Sequence, residues 1–187
     1  MLMAPQQTDI TEVDEGELVT RAQKDDSAAF RELFDRFYPM IYSFCYRACL
    51  DQSGAQDIAQ ETFIKAARAL GTFRLGSSFK AWLYSVATNA TRDWQRAKAR
   101  QDRVSEMMAE TPPERTPTDQ PDHSRLVEAL QTLPDDLRLA IVLVYYEGMN
   151  HATAARVLGC AETTVSWRVF RAKRKLKILL LRKEALK

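Results

Sequence analysis

The sequence predicts an all-α fold, built as two small helical domains joined by a flexible linker. Three observations carry that expectation. Apolar residues recur at helical spacing along most of the chain. Only 6 glycines and 7 prolines interrupt its 187 residues, and Pro112, Pro113, Pro117 and Pro121 fall in one short stretch. That stretch, QDRVSEMMAETPPERTPTDQPDHS (101–124), has no sustained apolar period. It reads as an extended, flexible connector. The expected division is a disordered tail over 1–12, a first block over 13–100, the linker over 101–123 and a second block over 124–187.

In the first block, DEGELVTRAQ opens a short helix and DDSAAFRELFDRFYPMIYSFCYRAC forms a longer one. Asp26 or Ser27 suits its N-cap, because a short side-chain oxygen satisfies the free amides of the first turn. SGAQDIAQETFIKAARAL is the third helix, with Ala59, Phe63, Ala66 and Leu70 forming its buried stripe. The loop GTFRLGSS leads to a fourth helix, FKAWLYSVATNATRDWQRAKAR, in which Phe79, Leu83, Val86 and Ala90 face inward.

The second block begins with a helix around SRLVEALQTL. Pro134, Asp135 and Asp136 start the next one, whose run LRLAIVLVYY is expected to be buried and which Gly148 ends. HATAARVL follows as a third helix, Gly159 lies in a turn, and AETTVSWRVFRAKRKLK is the fourth. Val165, Val169, Ala172 and Leu176 share the inner face of this last helix. Trp167 falls on the outer face beside Thr164 and Arg171, among cations, where an aromatic ring calls for a partner.

Hydrophobic residues make up 45% of the chain and charged residues 28%, an ordinary globular balance. The longest apolar run, residues 139–146, is far too short to span a bilayer. MLMAPQQTDITEVDEGE has no basic stretch followed by an apolar one, so a cytoplasmic protein is expected. Cys45, Cys49 and Cys160 form no metal-ligand pattern, and no metal or other cofactor is expected. The net charge of +2 is unevenly placed. From Ser166 to Lys187 nine lysines and arginines stand against one acid, a local charge of +8. Residues 101–124 carry six acids against two arginines, a local charge of −4. Opposite blocks of charge assign separate tasks to separate segments.

The last two helices fit a helix-turn-helix. Ala155 is small enough for close approach, Gly159 permits a left-handed turn, and Val165 packs between the helices. The second helix of such a unit enters the DNA major groove, which turns Thr164, Trp167, Arg168 and Arg171 toward base edges. Lys173, Arg174 and Lys175 then meet phosphates. In the first block, Lys80, Arg92, Arg96, Lys98 and Arg100 are interleaved with Trp82, Tyr84 and Trp94 along one helix. Cations beside aromatic platforms suit unpaired or flipped bases. Core packing explains Trp82 and Trp94 equally well at this stage. The third helix turns Asp57, Gln60 and Glu61 to one side, an acidic patch fit for a basic protein.

DIAQETFIKAARAL, FRLGSSFKAWLYSVATN and LPDDLRLAIVLVYYEGMNHATAARVLGCAETTVSWRVFRAKRKLK, in that order, resemble the extracytoplasmic-function (ECF) group of bacterial sigma-70-type sigma factors. The resemblance runs over 17–100 and 126–177, with no intermediate sigma domain between. It implies a region 2 bundle and a region 4 helix-turn-helix. Asp57, Gln60 and Glu61 would dock on the β′ clamp of core RNA polymerase, and the second block on its β flap. Phe73, Arg74, Ser77, Ser78, Lys80, Asn89, Arg92 and Arg96 would recognise and open the −10 element of promoter DNA. Thr164, Ser166, Trp167, Arg168 and Arg171 would face the −35 element, and the linker would thread toward the polymerase active-site channel. An anti-sigma factor, often membrane-anchored, is the implied regulator. No catalytic residue and no small-molecule substrate are implied.

Two other classes compete. A two-domain helix-turn-helix regulator that never joins polymerase explains the second block, but gives the basic and acidic helices of the first no purpose. An enzyme has only His123 and His151 to draw on, without a phosphate-cradling glycine loop or telling carboxylate pairs.

Overall fold

The structure is a computed structural model that describes residues 14–108 and 124–184. The expected tail over 1–12, most of the expected linker and residues 185–187 lie outside the described residues.

Side-chain caps set the helix starts in the first block. After α1 (Glu15–Ala22), the Asp26 carboxylate accepts from the backbone N–H of Ala28 at 3.0 Å and Ala29 at 3.1 Å, opening α2 (Ser27–Cys49). Asp51 does the same for α3 (Gln52–Ala69), accepting from Gly54 N–H at 2.7 Å. A single 3-10 turn, Leu70–Thr72, and a loop follow. The loop is moored to α1 by Gln23, whose amide donates to the carbonyls of Leu70 (2.9 Å) and Phe73 (2.8 Å). Ser78 then caps α4 (Phe79–Met108), its hydroxyl accepting from Ala81 N–H at 3.1 Å.

Helix α4 corrects one expected boundary, because it continues eight residues into the stretch assigned to the linker. Residues 101–108 contain good helix formers and neither Gly nor Pro, so nothing there stops the helix. Beyond them the next proline is Pro112.

The expected stripe of α3 is buried as a whole: Ala59, Phe63, Ala66 and Leu70 face α2 and α4. Phe79, Leu83 and Ala90 of α4 are buried too, while Val86 is half-buried. Aromatic edges fill the space between the helices. Phe44 meets Tyr84 at a centroid distance of 5.2 Å and 87°, and Phe37 meets Phe79 at 5.4 Å and 67°.

The second block contains α5 (Ser124–Gln131), α6 (Asp135–Ile141), α7 (His151–Leu158) and α8 (Glu162–Glu184). Helix α6 ends in a wide π turn, Val142–Tyr146, before Gly148 reverses the chain at φ +67°. The expectation that LRLAIVLVYY is wholly buried therefore holds only as far as Leu143. The π turn rotates Tyr145 and Tyr146 outward into solvent.

The two blocks pack against each other and share one continuous apolar core. Arg138 of α6, only 7% exposed, donates from Nε to the Ala48 carbonyl at 2.7 Å. That carbonyl is near the C-terminal end of α2. The same guanidinium donates to the carbonyls of Leu130 (3.2 Å) and Leu133 (3.4 Å) and pairs with Asp135. Arg92 donates to the Leu158 carbonyl at 3.0 Å, Tyr84 hydrogen-bonds the Glu147 carboxylate, and the Arg47 guanidinium lies 4.9 Å from the Tyr146 ring centre. No helix among the described residues is long and apolar enough to cross a membrane.

Gly54 is fixed by contact rather than by backbone angle. A Cβ there would lie 2.3 Å from Cζ2 of Trp94, whose indole rests on the first turn of α3. Lys98 covers the same indole at 4.7 Å and bonds Asp51 at 2.7 Å. Gly54→Ala is expected to destabilise the chain by about 1–3 kcal/mol, the usual cost of overpacking. Thermal unfolding followed by helicity measures it; an unchanged midpoint contradicts this packing.

Candidate nucleic-acid interface

The turn between α7 and α8 is built from three local choices. Asn150 accepts from Thr153 N–H at 2.8 Å and starts α7. Gly159 adopts φ 65° and ψ 40°, the left-handed conformation that closes a helix C-terminus. Ala155, Val165, Val169 and Ala172 are buried between the helices, with Leu176 half-buried. This leaves one face of α8 open.

On that face Trp167 is 51% exposed, and the Arg171 guanidinium stacks on its ring at 4.9 Å. The pair forms a flat shelf with a charged edge, which answers why a large aromatic faces outward. Thr164 beside it is half-buried. Ser166 is engaged within the protein: its hydroxyl donates to the Glu162 carbonyl at 3.1 Å and lies 2.8 Å from His151 Nδ1. The imidazole thereby ties the start of α7 to α8.

Arg168 departs from this surface. Its side chain is 19% exposed, with Nε 3.3 Å from an Asp136 oxygen and Nη1 3.8 Å from Cys160 Sγ. It points into the junction between the blocks, toward Arg92. Burial and the neighbouring Arg168 charge together lower the pKa of Arg92. The two arginines expected to read separate DNA elements are thus brought together, each away from the open face.

The predicted residues of the α3–α4 loop separate into two sets. Arg74, Ser77, Ser78 and Lys80 are exposed around Gly76, which turns at φ +85°. Leu75 joins them as an exposed apolar tip. Phe73 is only 7% exposed and packs on Phe79 and Trp82 at 5.6 and 5.3 Å. Trp82 and Trp94 are likewise packed and half-buried, so the core reading of both holds here. Along α4, Asn89 and Arg96 are exposed. Arg96 bonds Asp93 at 2.6 Å, and Asp93 also takes Lys65 at 3.1 Å. These two cations hold the Asp93 carboxyl below its usual range.

Asp57, Gln60 and Glu61 are all exposed on α3, and exposed Ile64 extends their surface by one turn. Burial pushes the Cys45 thiol far above its ordinary value and that of Cys49 up to about 11. Both therefore resist forming the thiolate that redox chemistry or metal binding needs.

Residues 33–101 match the Sigma-70 region 2 model and residues 123–176 the Sigma-70, region 4 model. The chain is 35% identical over 178 residues to the RNA polymerase sigma-H factor of Pseudomonas aeruginosa, covering 88% of this chain and 92% of that protein. With the ECF RNA polymerase sigma-E factor of Escherichia coli K12 it shares 34% identity over 170 residues, 83% of this chain and 88% of the relative. The chain belongs to the ECF group of sigma-70 sigma factors.

Two solved structures resemble this sigma factor across both blocks. One is the sigma factor RpoE in complex with the anti-sigma factor NepR from Bartonella quintana: TM-score 0.68, 29% identity, covering 81% of this chain and 96% of that one. The other is CnrH in complex with the cytosolic domain of CnrY: TM-score 0.66, 27% identity, covering 88% and 96%.

Sequence reasoning missed Arg138 and the His151–Ser166 bond. A lone cation inside LRLAIVL was a signal for the first, since a charge in a buried run needs partners. No sequence signal marked the second.

The loop residues can be separated by experiment. Phe73→Ala is expected to cost about 3–5 kcal/mol of folding stability, as loss of a buried ring does. Arg74→Ala is expected to stay within about 0.5 kcal/mol, as for an exposed site. Urea unfolding measures both, and equal effects contradict the assignment of Phe73 to the core.

Proposed function

We propose a division of labour in which the first block joins core RNA polymerase and opens the promoter, while α8 reads the upstream element. The observation that carries this reading is the outward Trp167–Arg171 shelf on a helix-turn-helix, in a chain whose other half matches Sigma-70 region 2. Arg171 reads a base edge from the ring that orients it, and Thr164 supports it. Lys173, Arg174 and Lys175, exposed further along α8, meet phosphates. In the first block, Arg74, Ser77, Lys80, Asn89 and Arg96 surround the separated −10 strand. Asp57, Gln60, Glu61 and Ile64 dock on the β′ clamp, and the second block on the β flap.

The ECF factor supplies recognition and no covalent chemistry; polymerase makes the RNA. It works in the cytoplasm, where core polymerase and DNA are. An anti-sigma factor is its regulator, a reading supported by the two structural neighbours, each in complex with a partner of its own.

Arg171→Ala is expected to lower run-off transcription at a cognate promoter by about 1–3 kcal/mol of lost major-groove contact, or roughly 5- to 150-fold. Trp167→Ala is expected to follow it in direction, because the cation loses its shelf. Core polymerase must still co-elute with both variants. Loss of co-elution contradicts the division of labour. A chain that shifts duplex DNA tightly yet never starts transcription with core supports the rival regulator.

A further inference from the structure

Helix α8 carries its cations at different angles around its axis. Counted from Trp167 at about 100° per residue, Arg171 lies about 40° to one side, with Arg174, Phe170 and Lys173 about 20°, 60° and 120° to the other. Val165, Val169 and Ala172 lie behind them, buried. Lys173 therefore stands on the flank of the helix, where the open face turns toward the core. A helix seated in the major groove meets base edges with its outer face and the phosphate walls with its flanks.

Lys173 has a partner there from another element. Its ammonium nitrogen lies 5.4 Å from the ring centre of Tyr145, within reach of a cation–π attraction. Tyr145 belongs to the π turn that follows α6, is 56% exposed and stands outside the apolar core. Among the described residues no carboxylate pairs with Lys173, so its donors stay open to an anion. The arrangement repeats the Arg171–Trp167 pair, but between two elements instead of along one helix. A lysine loses rotamer entropy when a phosphate fixes it, and a ring that holds the ammonium beforehand lowers that cost.

We infer that Tyr145 is a positioning residue for the upstream element. Its ring presents the Lys173 ammonium to a DNA phosphate at the flank of α8, so the π turn after α6 helps to set how the recognition helix sits in the groove. This role rests on the reading of α8 as the −35 reader.

The test uses the full chain with core RNA polymerase and a promoter that supports run-off transcription. Apparent promoter affinity is measured across salt concentrations for the wild type, Tyr145→Phe, Tyr145→Leu, Lys173→Gln and the double variant Tyr145→Leu with Lys173→Gln. Tyr145→Phe keeps the ring face and is expected to bind as the wild type does. Tyr145→Leu is expected to bind about two- to fivefold more weakly. Lys173→Gln is expected to bind more weakly and to reduce the slope of log affinity against log salt by about one, as loss of a single phosphate contact does. The double variant is expected to bind no more weakly than Lys173→Gln, because the ring then has no cation to hold. Both positions are exposed, so each variant is expected to keep the wild-type helicity. If Tyr145→Leu fails to fold, Tyr145→Gln takes its place.

Tyr145→Leu binding like the wild type overturns this role. So does a Tyr145→Phe as weak as Tyr145→Leu, which assigns the effect to the hydroxyl. So does a Tyr145→Leu loss that recurs in full when Lys173 is already Gln. Failure of the sigma reading looks different: the wild-type chain then gives core no promoter-specific binding at all.

Discussion

The arrangement depends on where one buried cation finds its acceptors. Arg138 lies within the apolar face of α6, and burial alone lowers its pKa. It stays charged because three backbone carbonyls and Asp135 surround it. Two of those carbonyls lie at the end of α5 and its following turn, and the third lies in the last turn of α2. Orphan carbonyls at helix ends are the groups that lack partners inside their own helices. A single side chain therefore satisfies two blocks at once. Removing such a partner leaves several buried polar groups unpaired, which costs more than the bond itself contributes.

The first block uses a different device to present its surfaces. Aromatic rings from α2 and α4 fill its centre, and Trp94 presses on the N-terminal turn of α3 through the opening that Gly54 leaves. The Asp51 carboxylate holds that turn from the other side, kept below its usual pKa by Lys98 and the Gly54 amide. This contribution is present above the ordinary value of 3.8 and lost as pH falls through the folded one. With α3 fixed at its start, its outer face offers Asp57, Gln60, Glu61 and Ile64 as one surface.

Local rules made much of this legible in the sequence. The α3 stripe, the Asp26 cap, the bounds of α7 and the left-handed Gly159 follow from periodicity and turn chemistry within a few residues. The outward position of Trp167 was legible too. Its partner followed from spacing, since Arg171 is one helical turn along. What could not be read were positions decided by distant segments. Arg168 has helical phase close to the open face, yet Asp136 at the start of α6 draws it inward. Phe73 reads as a loop aromatic, but Gln23, fifty residues away, pins the loop so that its ring enters the core. The family motif located the two sigma regions; packing decided which side chains within them are exposed.

The central claim is that one chain reads two promoter elements through two blocks and lets polymerase start between them. Footprinting a complex of core polymerase, this chain and a promoter that supports run-off transcription tests it most directly, with permanganate marking unpaired thymines. Protection over the −35 element is expected together with permanganate-reactive thymines at −10, both dependent on the chain. Protection of duplex DNA by the chain with no reactive thymines, unchanged when core is added, would contradict it.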